Sequence, residues 1–264
     1  MLSKEMIKGK IIRQFNEKNM GLLDSVGYFK RIENNLIDGM MVNDFFNDLH
    51  KGSGNELTQK FRAIHSSSAL VVNHFAIFKR EIEKLKLLGF DQFIDLKFEE
   101  KMPTGLRGTS PNLDVVITNN NYIFGIESKY LEHCQRKKAS FSSAYTKEKL
   151  PFLRDGWFQL IEKYRNQYSY LDTAQLIKHS IGLLNHKGNR KPGLIYLFWE
   201  PENYYEYDLF RTHRTEIELF SQGMKGLGID FYWLSYLDLW NEWDANVELK
   251  GLSKLLRERY LLKI

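Results

Sequence analysis

The stretch PNLDVVITNNNYIFGIESKY, residues 111–130, limits the fold more than any other part of the chain. It reads as two strands, 113–117 and 122–129, joined across Thr-Asn-Asn-Asn, where asparagine tolerates left-handed turn geometry. Side chains alternate faces along a strand. Leu113, Val115, Ile117, Phe124 and Ile126 therefore share an apolar face, and Asp114, Val116, Gly125, Glu127 and Lys129 take the other. With Asn120 and Asn121 at the turn centre, Asp114 falls directly across from Glu127, and a two-residue shift makes them diagonal neighbours on the same face. A one-residue slip would expose half of the apolar set. Either accepted register gathers Asp114, Glu127 and Lys129, with Gly125 leaving space beside them.

Charged groups so placed either face water on an edge hairpin or do chemistry. Two carboxylates this close repel and raise one another's pKa. A divalent cation removes that problem. Mg²⁺ takes hard oxygen ligands at about 2.0–2.1 Å and keeps several waters, so two carboxylates and a substrate phosphate suffice. The Ser128 carbonyl oxygen could add a ligand. Lys129 points at the same place, where an ammonium holds or polarises the attacking water. Such a cation serves phosphodiester hydrolysis as a Lewis acid and as a source of hydroxide.

The rest of the chain supplies a mixed sheet with helices packed on it. Residues 1–50 carry apolar residues at helical spacing, for example Leu36, Met40 and Met41, then Phe45, Phe46 and Leu49. They are expected to form a helical N-terminal extension on a core of residues 51–264. Residues 56–89 read as helical material broken around His65–Ser68, with Gly89 as the stop. A strand, FDQFIDLKFEE, precedes the Gly/Pro-rich loop KMPTGLRGTSPN and the hairpin. Helical patterns return over 150–186. GLIYLFWE is a continuous apolar run typical of a strand buried on both faces. A helix through EIELFSQGMKG, a strand at IDFYWLSY and a terminal amphipathic helix complete the chain.

Pro111-Asn112-Leu113-Asp114 followed by Ile126-Glu127-Ser128-Lys129 resembles the signature of the PD-(D/E)XK nuclease superfamily. Two residues separate Pro111 from Asp114 where that motif has Pro and Asp adjacent. Three other acid-x-Lys tripeptides, at 95–97, 99–101 and 248–250, lack a partner acid on a neighbouring hairpin arm. Within the superfamily, FRAIHSSSALVVNHFAIFKR and PTGLRGTSPNLDVVI resemble a family of bacterial restriction endonucleases. The resemblance implies an α/β (α+β mixed-sheet) restriction-endonuclease-like core, ordered helix, three strands, helix, strand. It further implies Mg²⁺-dependent cleavage of DNA, with Mn²⁺ able to substitute. Pairing of two chains as a homodimer and a companion methyltransferase are left open.

It also directs attention to supporting residues. Superfamily members place a third acid on the helix before the strands, which points to Glu56, although an acid in a first helical turn also suits the helix dipole. Glu99 and Glu100 read as surface charges, with either as a substitute for Glu56 left open. Some branches use a Gln on the second helix followed by Tyr four residues later. Gln159 is the counterpart, but Tyr164 is five residues on, and an ordinary helix-face Gln fits as well. Lys163 is placed either to neutralise a phosphate or simply to be solvated.

Arg107, in the glycine-rich loop, is positioned to touch a phosphate or base edge. The basic run with Arg136, Lys137, Lys138, Lys147 and Lys149 would track a nucleic-acid backbone through counterion release, or form a solvated loop. His65-Ser66-Ser67-Ser68 lacks the Gly-x-Ser-x-Gly pattern of a nucleophile elbow, so small residues easing helix–sheet contact explain it better. His133-Cys134 and the pair His179 and His186 do not make a zinc site, which needs three or four suitably spaced ligands.

Bulk properties narrow the classes. Composition, 43% hydrophobic and 14% aromatic with five prolines, fits a folded core. The formal charge of +5 is compatible with a polyanionic partner without requiring one. The single cysteine, Cys134, excludes an intramolecular disulfide framework and fits a reducing cytoplasm. Charges interrupt every apolar run of the N-terminus, and no window offers the roughly 20 apolar residues of a membrane span. The rival reading is a nucleic-acid-binding module that keeps a nuclease fold without turnover. A metal-free serine hydrolase using Ser66–Ser68 is a third.

Overall fold

The computed structural model describes residues 2–51, 60–108 and 110–264. Its centre is a five-stranded sheet in the order β1-β2-β3-β6-β7. β1 (Asp95–Lys101), β2 (Asn112–Thr118) and β3 (Tyr122–Lys129) form an antiparallel meander. β6 (Lys191–Phe198) then joins β3 in parallel, and β7 (Asp230–Ser235) joins β6 in parallel. Parallel neighbours require crossover helices. These are α4 (Asp155–Tyr164) and α5 (Thr173–His186) before β6, and α6 (Asp208–Met224) before β7. The expected order of a helix, three strands, helix and strand is present, with α3 (Ser67–Phe75) as the leading helix.

Helices cover both faces, so β3 and β6 are buried throughout most of their length and read as nearly unbroken apolar runs. One face carries Val115, Ile117, Phe124, Ile126, Ile195 and Leu197, packed under α3, α7 (Tyr236–Asp244) and α8 (Lys250–Tyr260). The other carries Val116, Ile123, Leu194 and Tyr196 under α4, α5 and α6. The aromatic run after Asp230 divides between β7, where Phe231, Tyr232 and Trp233 are half-buried, and α7, where Tyr236, Trp240 and Trp243 are buried. The break is Ser235, whose side chain and that of Asp238 form a reciprocal N-terminal cap.

The N-terminal segment is less helical than its spacing predicts. α1 (Lys4–Lys18) and α2 (Phe46–Lys51) flank turns and short 3₁₀ segments, and Gly39 with φ +87° interrupts the run from Leu36 to Leu49. Its apolar residues join the first core directly: Phe29, Phe45 and Leu49 are buried, and Phe45 stacks on Phe61 at 5.2 Å. A short ribbon of β4 (Lys137–Lys138) and β5 (Tyr168–Ser169) lies outside the main sheet.

Two local details depart from the strand pattern. The β2–β3 turn contains no left-handed asparagine. Asn119 Oδ1 instead accepts from the backbone N–H groups of Asn121 and Tyr122, at 2.9 and 2.8 Å, as an Asx turn does. The face alternation also breaks. Leu96, Phe98, Val115 and Ile117 belong to the first core, whereas Met102 and Leu113 belong to the second. Both strands switch faces at the step where Glu99 lies opposite Asp114, between the pairs Phe98–Val115 and Glu100–Leu113. Glu99 makes that corner with φ +50°. Leu113 therefore fills the space over Gly125, where an added Cβ would lie 2.4 Å from Leu113 Cδ1. The glycine admits a core side chain rather than opening room for an ion.

Candidate active site

The hairpin pairs Val115 with Ile126 and Val116 with Gly125, so one further step sets Asp114 opposite Glu127. That is the first of the two registers expected from the sequence. Asp114 Oδ2 accepts from the Ser128 backbone N–H at 2.6 Å. In a strand the N–H and C=O of one residue leave on the same edge, so the Ser128 carbonyl oxygen also faces the β2 edge beside Asp114. The Ser128 hydroxyl points to the other face and shares a 2.7 Å hydrogen bond with Tyr236.

Glu127 and Lys129 lie two residues apart on the face covered by α5, where the Lys129 ammonium pairs with Glu127 Oε1. α5 adds two groups that sequence reasoning did not select. Gln175 Oε1 accepts from Lys129 Nζ at 2.9 Å. His179 Nε2 stands 2.9 Å from Glu127 Oε2. Positions i and i+4 share a helix face, so one side of α5 meets both members of the ion pair. Asp172 Oδ1 caps α5 at the Gln175 N–H, 3.1 Å away. Gly182 allows the close approach: a Cβ there would meet the Met102 carbonyl oxygen at 2.3 Å. The available signal was a Gln and a His four residues apart, on one face of an amphipathic helix.

A cleft of about 930 Å³ opens over this group, and Asp114, Gln175 and His179 are among its lining residues. Glu127, 1% exposed, and Lys129, 8% exposed, lie beneath that floor. Burial, then the charges of Glu127 and Glu99, push the Asp114 carboxyl well above the usual range. Burial acts in the same direction on Glu127, but the Lys129 ammonium and the His179 ring outweigh it and hold this carboxyl below its ordinary value. Burial alone would lower the Lys129 ammonium, yet the surrounding carboxylates of Glu127, Asp114 and Glu132 raise it, so it stays charged.

Among the described residues, no three His, Cys, Asp or Glu side chains are gathered closely enough to hold a metal by themselves. The residues present do fit a cation that brings its own waters. Asp114 and Glu127 occupy facing positions on the hairpin, and the Ser128 carbonyl oxygen shares the edge on which Asp114 meets the Ser128 N–H.

The other sequence candidates divide. Glu56 lies outside the described residues. Gln159 is on the exposed side of α4, outside the cleft lining, because the helix turns Leu160 and Ile161 inward instead. Gln175 occupies the place beside Lys129. Lys163, exposed near the end of α4, is also outside the cleft and lies over the Tyr164 ring at 5.3 Å. Arg107 and Lys138 are exposed on the cleft wall with Lys178. Arg136 and Lys137 are not in that lining: Arg136 covers the Tyr170 ring at 4.9 Å, and Lys137 pairs with Asp172 at 3.3 Å.

Ser66 caps α3, accepting from the Ala69 N–H at 3.2 Å, and Ser67 is hydrogen-bonded to Glu132. His65 Nδ1 is buried with no hydrogen-bond partner among the described residues. His133 stacks on His213 at 4.5 Å inside the core. No helix among the described residues is long and apolar enough to cross a membrane.

A family model described as Restriction Endonuclease associating with ARP matches residues 15–261, and the chain belongs to that family. No curated protein and no solved structure matches the chain.

Proposed function

We propose that this protein is a Mg²⁺-dependent DNA endonuclease of the PD-(D/E)XK type, cutting phosphodiester bonds in the cleft above β2 and β3. The observation that carries this reading is the pairing of Asp114 with Glu127 across the hairpin, with Lys129 at their side and a restriction-endonuclease family match over nearly the whole chain. DNA as substrate follows from the family's description and is consistent with Arg107, Lys138 and Lys178 along the cleft.

Asp114, Glu127 and the Ser128 carbonyl oxygen would hold the cation. Bound there, it supplies Lewis-acid polarisation of the phosphate and lowers the pKa of water. Lys129 has three N–H donors, of which Glu127 and Gln175 take two. The third is left to orient the attacking water and to meet charge developing on the phosphate. Glu127 and Gln175 aim the ammonium, and His179 fixes the far oxygen of Glu127. Arg107 and Lys138, on the wall, would bind flanking phosphates.

Incubation of purified protein with plasmid, single-stranded DNA and RNA, each with and without Mg²⁺, tests the reading. Cleavage of DNA that stops on chelation supports it. Binding without cleavage of any substrate under Mg²⁺ or Mn²⁺ would favour the non-catalytic module.

A further inference from the structure

We propose that the cleft takes an unpaired DNA strand, its bases against Tyr28 and His65 on one wall and its phosphates against Lys138 and Lys178 on the other; this rests on the nuclease reading of the site. The two walls come from opposite faces of the sheet. Tyr28 and His65 line the cleft, and their chain neighbours Phe29 and Ile64 belong to the first core. Lys138 and Lys178 line it as well, and their chain neighbours Ala139 and Ile177 belong to the second core. The acids lie between, with Asp114 in the lining and Glu127 buried beneath it.

Size and depth favour a single strand over a duplex. Clefts of about 300–1,000 Å³ enclose one small ligand. At about 930 Å³ this cleft matches roughly a nucleotide or two rather than a paired segment. Its walls are also fastened together. Tyr145 is hydrogen-bonded to Thr104, and Asn185 Nδ2 donates to the Pro103 carbonyl oxygen at 3.1 Å. The β1–β2 loop is thereby tied both to the segment after β4 and to α5. A strand that reaches Asp114 leaves its complement outside, and unpairing costs least where the strand is already single.

The chemistry of each wall suits one side of such a strand. Tyr28 and His65 meet edge to face, with ring centroids 6.3 Å apart. Burial, reinforced by the charges of Lys8 and Lys4, holds His65 at about 4. At neutral pH it is an uncharged ring, suited to stacking rather than to phosphate. Every base has a π-face, so aromatic rings hold unpaired nucleotides with little regard to sequence. On the other wall Lys138 is exposed, and the Lys178 ammonium lies over the Phe141 ring at 5.8 Å. Both meet a phosphate backbone by charge.

Fluorescence anisotropy on the full chain, with chelator present to stop cleavage, tests this. One labelled oligonucleotide is offered as a single strand, as a perfect duplex and as a duplex with a central bubble. The single strand and the bubble are expected to bind at least about tenfold more tightly than the duplex. Tyr28→Ala and His65→Ala should each weaken single-strand binding about tenfold. Tyr28→Phe and His65→Phe, which keep a ring, should recover most of that loss, and Lys163→Gln, outside the cleft, should match wild type. Thermal melting verifies that each variant is folded. A duplex bound as tightly as the single strand, or wild-type affinity in both folded alanine variants, overturns the proposal; cleavage of that duplex under Mg²⁺ would leave the nuclease reading standing. Tight binding of the single strand with no cleavage of any DNA under Mg²⁺ or Mn²⁺ overturns the nuclease reading instead.

Discussion

His179 Nε2 lies 2.9 Å from Glu127 Oε2, and one turn earlier on the same helix Gln175 accepts from Lys129. α5 thus grips both members of the buried ion pair, each through a different side chain. Groups that orient site residues typically contribute 10–100-fold to affinity or activity. His179→Ala and Gln175→Ala should therefore each slow single-turnover DNA cleavage by about 10–100-fold. The loss should exceed any fall in folded fraction measured by thermal melting. Cleavage that merely tracks the folded fraction would reduce both residues to packing.

Gly182 sets how closely α5 approaches the end of β1. A methyl group there would lie 2.3 Å from the Met102 carbonyl oxygen, and backbone cannot yield as a side chain can. Gly182→Ala should cost about 1–3 kcal/mol, the range for overpacking, and should reduce cleavage by shifting Gln175 and His179. Urea unfolding and cleavage rates measure the two effects. Full stability would show that the helix adjusts without strain.

Three buried imidazoles set the response to acid. Burial holds His74 at about 3 and His133 at about 4, and it holds His213 well below its ordinary value. His74 Nε2 accepts from Trp240 Nε1 at 2.9 Å, as a neutral ring does. A folded pKa below the unfolded one means that the unfolded chain binds more protons. Stability from these neutral rings is complete above the unfolded value of 6.5 and is lost as pH falls from there toward about 4 and 3. Each ring contributes up to about 1.4 kcal/mol per pH unit within that window. Urea midpoints should drop steeply between pH 6.5 and 5. A flat profile would mean that the rings do not titrate on unfolding.

The raised Asp114 carboxyl bears on metal binding. A protonated acid must lose its proton to ligate, so Mn²⁺ uptake should release protons and strengthen as pH rises. Calorimetry in two buffers of different ionisation enthalpy reads this directly. A binding enthalpy independent of buffer would show that Asp114 is already ionised or does not ligate.

The hairpin was legible, with its register narrowed to two, because a buried face fixes the parity of pairing: a one-residue slip would have exposed Val115, Ile117 and Phe124. The family resemblance was legible because its motif is local in sequence. The face switch at Glu99 and Asp114 was not, since alternation reads each strand as continuous and no Gly or Pro marks the corner. Leu113 was accordingly assigned to the wrong core. Gln175 and His179 were missed for another reason. Their partners on β3 are 46 and 52 residues away in sequence, and only the packing of α5 against the sheet brings them together. Gln159 looked equivalent until burial of the opposite helix face turned it outward. The N-terminal helical expectation failed because Met40, Phe45 and Leu49 enter the core through turns and short segments, which leaves their neighbours Met41 and Phe46 exposed.

The role of Asp114 and Lys129 in catalysis is decided by DNA cleavage under Mg²⁺ with wild type, Asp114→Ala and Lys129→Ala, with circular dichroism to verify folding. Wild type should cleave, and each folded variant should be slower by about 10³-fold or more. Cleavage persisting at the wild-type rate in both variants would contradict that role.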